Sequence, residues 1–133
     1  MLRSRPWLLW LPALGVMGGI FVLSHQSGLR VTEDVDVERP IRVSAHLLAY
    51  ATLAGLLLFA LARGGQPHRL QAFGAWAMAV AYGLTDELHQ SFVPDRNGRL
   101  DDVVTDAIGA AVGVAIAWIG LRALTRARAA AAR

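Results

Sequence analysis

Residues 86–109 read DELHQSFVPDRNGRLDDVVTDAIG. This polar block lies at the seam between two apolar stretches, residues 70–88 and 103–121. Ionisable side chains at the edge of a hydrocarbon span are costly, so a chain that keeps this many there has a use for them. Upstream lie two further apolar runs, WLLWLPALGVMGGIFVL at 7–23 and VSAHLLAYATLAGLLLFAL at 43–61. Each of the four runs has 17 to 19 residues. At about 1.5 Å per helical residue, each just crosses a hydrocarbon core of about 30 Å. The expected fold is therefore all-α, one membrane domain over 1–133 built as a bundle of four transmembrane helices.

Composition agrees. The chain is 55% hydrophobic and 17% charged, where a soluble domain carries nearer a quarter charged residues. There is no cysteine, which rules out a disulfide frame, a thiolate nucleophile and a Cys-ligated metal. All 13 basic residues are arginine, and they are spread over loops and ends, with no basic stripe of the kind that binds nucleic acid. The first run is longer than a signal-peptide core and no A-x-A site follows it, so it reads as a retained span.

Arginine placement orients the bundle. Arg3, Arg5, Arg63, Arg69, Arg122, Arg126, Arg128 and Arg133 fall on one side with no acid. Arg30, Arg39, Arg42, Arg96, Arg99 and all ten acids fall on the other. Both termini are expected in the cytoplasm, with loops 24–42 and 89–102 facing outward. Gly109, Gly113 and Ala117, and likewise Ala75, Ala79 and Gly83, recur every four residues, a spacing that lets helices approach closely in lipid. Trp7, Trp10, Trp76 and Trp118 are expected as interfacial or lipid-facing anchors.

Candidate functional residues gather at the outward ends. Arg42, His46 and Tyr50 recur at four-residue spacing on one helix face. His46 lies a turn inside its span and needs a partner or water. Asp86 shares a face with His89 and Gln90, which sends Glu87 toward the loop or a neighbouring helix. Asn97-Gly98 signals a tight turn, and Asp101 or Asp102 is placed to cap the fourth span. Asp102 and Asp106 share a face, and Asp106, a full turn inside, calls for pairing with Arg96, Arg42 or His46.

These segments resemble the VanZ-like family of small bacterial membrane proteins. SHQSG (24–28) is similar to its S-x-x-S-G motif through Ser24, Ser27 and Gly28, and RVSAHLLAY (42–50) to its R-K-x-A-H-F-x-x-Y motif through Arg42, Ala45, His46 and Tyr50. The third motif, D-E-x-x-Q-x-F-V-P-G-R followed by D-V-L-x-D/N-x-x-G, is carried by Asp86, Glu87, Gln90, Phe92, Val93, Pro94, Arg96, Asp102, Val103, Asp106 and Gly109. Val43, Leu47 and Asp95 depart from the family's lysine, phenylalanine and glycine. The resemblance implies a multi-pass protein of the bacterial cytoplasmic membrane and, through the member that gives the family its name, a link to teicoplanin resistance.

Three functions follow as expectations. In the first, the outward cluster binds an anionic cell-envelope lipid or a glycopeptide-type molecule, with Arg42, His46, Tyr50, Glu87, Gln90, Arg96 and Asp102 forming the ligand site. In the second, it is a membrane-embedded enzyme with His46 or His89 as general base and Asp86 or Asp106 as orienter or acid. A metal-dependent version of that enzyme, acting on a lipid-linked substrate, would use His46, His89, Glu87, Asp86 and Asp106, whose types suit zinc or a harder divalent ion, but no H-x-x-x-H pair or comparable spacing supports it and no cofactor is expected. In the third, the cluster is a structural ion-pair network and the function lies in a partner protein.

Overall fold

A computed structural model describes residues 5–26, 34–94 and 98–133. Among them all regular structure is helical: a 3-10 turn, Pro6–Trp10, then α1 (Leu11–His25), α2 (Val35–Leu61), α3 (Arg69–Gln90) and α4 (Leu100–Ala131). Three segments, Pro6–His25, Asp36–Leu61 and Leu100–Ala131, are long and apolar enough to cross a membrane. The 22-residue α3 is more polar because its inward face carries Asp86, Glu87 and Gln90, all buried. Its exposed face still carries Leu70, Phe73, Met78, Leu84 and Leu88.

Cross-helix contacts give the topology. Trp76 and Glu87 of α3 meet Ala107 and Arg99 respectively, so α3 and α4 run antiparallel. Arg42 meets Asp102 and His46 meets Asp106, so α2 and α4 run parallel. Met17 and Ser24 of α1 meet Tyr82 and Asp86, so α1 and α3 are parallel as well. The chain thus runs up, down, up and down, and the C-terminal ends of α1 and α3 share one end of the bundle with the N-terminal ends of α2 and α4.

Glycine sets the closest interface. A Cβ added to Gly109 would lie 2.6 Å from the Leu47 carbonyl oxygen, and one added to Gly113 would overlap the Ala51 carbonyl. Gly55 reciprocates against Gly113. The four-residue repeat of α4 therefore lets two backbones touch, as its spacing predicts. Ala75 and Ala79 are fully buried on α3, and Gly83 faces Tyr50 and Asp106. The α2–α3 turn closes with Arg63 at φ +51°, with the N–H groups of Arg63 and Gly64 bonded to Ala60 and Phe59.

The structure corrects three expectations. Residues 35–42 are not loop but the first turns of α2, started by the Asp34 side chain, which accepts from the Asp36 N–H at 3.0 Å. The apolar run marked where α2 becomes hydrophobic, which is not where it becomes helical. Neither Asp101 nor Asp102 caps α4: the helix opens one residue earlier, after Arg99, and both acids lie in its first turn. Trp76 is no free anchor, since its indole N–H donates to the Ala107 carbonyl at 3.1 Å.

Candidate functional site

The parallel register of α2 and α4 builds a ladder of two ion pairs. Arg42 Nη1 lies 3.5 Å from Asp102 Oδ2, and one turn deeper His46 Nδ1 lies 2.7 Å from Asp106 Oδ1. Both pairs span the same sequence offset, because four-residue spacing on one helix meets four-residue spacing on the other. The glycine contacts at Leu47 and Ala51 come directly below and hold the backbones close enough for the short side chains to reach. Exposure falls steeply with depth: the Arg42 side chain is 37% exposed and that of Asp106 is 0% exposed.

Tyr50 continues the ladder downward. Its ring stacks beside His46 with centroids 6.3 Å apart, and a tilted contact follows with Tyr82. The Tyr50 hydroxyl is buried with no hydrogen-bond partner, and Asp106 Oδ2 is in the same condition. Both groups flank Gly83, where a Cβ would sit 3.0 Å from Asp106 Oδ2 and 3.3 Å from the Tyr50 ring.

The end of α3 supplies the third wall. Glu87 is buried, and its Oε2 accepts from the Arg99 backbone N–H at 2.7 Å. Gly98 packs so tightly there that any Cβ would overlap the Glu87 carbonyl. The ligating atoms of His46, Glu87 and Asp106 all lie within 4.8 Å of one another. Beside them, Asp86 Oδ2 accepts from the Ser24 hydroxyl at 2.8 Å and from the Gln90 amide at 3.0 Å. The same amide stands 3.4 Å from Glu87 Oε1, which joins the two acidic groups.

Of the residues singled out in the sequence, Arg42, His46, Tyr50, Glu87, Asp102 and Asp106 thus converge, with Asp86 and Gln90 adjoining. Asp101 is outside this group and pairs with Arg99 on the exposed surface at 3.0 Å. Arg96, Ser27, Gly28 and Asp95 lie outside the described residues. His89 turns the other way: its Nε2 is 3.3 Å from His25 Nδ1, and its ring packs on Phe21. His25 escaped the sequence reading. The available signal was that α1 and α3, two spans apart, end on the same side.

A family model described as VanZ/LLP1 matches residues 9–121. The chain belongs to the VanZ/LLP1 family. No curated protein and no solved structure matches it. The VanZ/LLP1 match contains every residue of the ladder and of the α3 wall, and it stops where the Arg- and Ala-rich end of α4 begins. Together with the three long apolar helices, membership in VanZ/LLP1 supports a membrane protein.

Proposed function

We propose that this VanZ/LLP1 protein spans the bacterial cytoplasmic membrane four times, with both termini inside. Its outward end would hold the anionic headgroup of a cell-envelope lipid or a glycopeptide-type molecule. Four crossings are supported by the parallel run of α2 and α4: two crossings in one direction require a return, and α3 joins them with an apolar outer face. Orientation is supported by the arginine-rich, acid-free end formed by the N-terminus, residues 62–69 and the last turns of α4.

The observation that carries the binding reading is Arg42. It stands half-exposed at the rim, held by a buried Asp102 that fixes its direction while leaving part of the guanidinium open. A planar guanidinium so placed suits phosphate or carboxylate. The test is mass spectrometry of lipids co-purifying with the detergent-extracted protein, beside Arg42→Ala with its fold checked by circular dichroism. A phosphate-bearing lipid that falls at least about tenfold in the folded variant supports the reading, since a lost charge-assisted pair is worth roughly 1.5–3 kcal/mol. Equal lipid in both sinks it.

One observation favours a second reading. His46 and Asp106 stand in the geometry of a general base and its orienting carboxylate. In that reading the protein is an acid/base enzyme acting on the same lipid class. Turnover of the co-purified lipid by wild type, lost in His46→Gln with binding retained, would decide for it.

A further inference from the structure

We propose that His46, Glu87 and Asp106 form a binding site for one divalent transition ion, zinc or manganese. The proposal departs from the absence of any metal motif in the sequence, and it stands apart from the lipid reading. The three donors come from α2, α3 and α4, which is why no local spacing announces them. Their ligating atoms already lie within 4.8 Å of one another. In a tetrahedral site bonds of about 2.0–2.2 Å put donors about 3.3–3.6 Å apart, so side-chain rotations must close a remaining gap of roughly 1 Å.

A second observation points to a missing positive ligand. Asp106 is completely buried, and its Oδ1 holds the His46 ring while its Oδ2 has no partner. Tyr50 beside it is 1% exposed, and its buried hydroxyl is equally unpartnered. Orphaned buried polar atoms are costly, and an orphaned carboxylate oxygen is more so. Among the described residues of this end, Asp86, Glu87, Asp102 and Asp106 are buried, with Arg42 paired to Asp102 and His46 to Asp106. A divalent ion held by His46, Glu87 and Asp106 would supply positive charge to this group of buried carboxylates.

The donor chemistry narrows the ion. One imidazole and two carboxylates, without thiolate, suit zinc and manganese. Calcium takes six to eight oxygens, more than this trio supplies. Three protein ligands leave further coordination positions for water or an anionic oxygen.

The experiment is titration of the full-length, chelator-stripped protein in lipid-free detergent with zinc chloride and, separately, manganese chloride, followed by calorimetry. Wild type and Asp101→Asn, an exposed carboxylate nearby, should each bind one ion with equal affinity. Glu87→Gln and Asp106→Asn should weaken binding by well over about 100-fold, beyond the roughly 10–100-fold that the loss of an outer-sphere partner causes. No binding by wild type, or unchanged affinity in the folded variants, overturns the proposal. Should the variants fail to fold, electron paramagnetic resonance of manganese on wild type decides. Nitrogen hyperfine coupling from the His46 ring supports the site, and its absence from the bound ion overturns it. A site that binds metal while Arg42→Ala keeps its lipid would separate this proposal from the lipid reading.

Discussion

Tyr50 is the largest fully buried side chain whose polar atom has no partner. A phenol can bury its ring at a profit, but its hydroxyl must then be matched or its desolvation cost goes unrecovered. In the ligand-free protein Tyr50→Phe is therefore expected to raise stability by about 1 kcal/mol, read as the unfolding midpoint in detergent. A fall of that size would show that the hydroxyl has a partner after all. Residue by residue, the sequence was a good guide wherever a partner could come only from a facing helix. The depth of His46 and of Asp106 demanded pairing, and each supplies the other's partner. It misled at His89, because spacing says which residues share a face and not which neighbour that face meets. Asp86, Gln90 and His89 all meet α1, the first two at Ser24 and His89 at His25 and Phe21.

At the scale of elements, Gly109 and Gly113 of α4 set the closest approach of two helices. Gly113→Ala should cost at least about 3 kcal/mol, since the new methyl meets the Ala51 carbonyl and two helix backbones must part. Gly120→Ala, about two turns further along, meets nothing within 4 Å and should leave stability unchanged or raise it by up to about 1 kcal/mol. Thermal unfolding of the two variants side by side checks this, and equal losses would remove the close interface. The small-residue repeat was legible in sequence, but its partner was not: periodicity gives a stripe on one helix and is silent on whether the stripe meets α2 or α3. The start of α2 was illegible for a different reason. Residues 35–42 carry Asp36, Glu38, Arg39, Arg42 and Pro40, so hydropathy placed the boundary after them although the backbone is already helical.

For the whole molecule, orientation is the property most open to direct measurement. The chain has no cysteine, so single cysteines can be introduced without background. Phe92→Cys, at a position 78% exposed between α3 and α4, should react with a membrane-impermeant maleimide on intact cells. Gln66→Cys, exposed between α2 and α3, should react only after lysis. The reverse pattern would invert the bundle, and labelling of both on intact cells would break the four-span reading. The all-helical architecture and the shared end of the polar segments were readable from four apolar runs and the sign of the charges between them. The hydropathy of α3 alone understates it, because a helix that turns Asp86, Glu87 and Gln90 inward can face lipid with a lower average than its neighbours.

The parallel pairing of α2 with α4 also has a consequence in time. His46 and Asp106 are separated by 60 residues of chain. At roughly 5–20 residues per second of synthesis, α2 emerges from the ribosome about 3–12 s before the carboxylate that will meet its histidine. During that interval Arg42 and His46 have neither Asp102 nor Asp106, and α3, arriving in between, brings Glu87, which meets the Arg99 N–H only as α4 begins. Biogenesis of this small protein is thus a waiting problem: three helices must be kept together at the insertion machinery until the last one arrives, and a nascent chain released before α4 would present quality control with a half-charged, incomplete bundle.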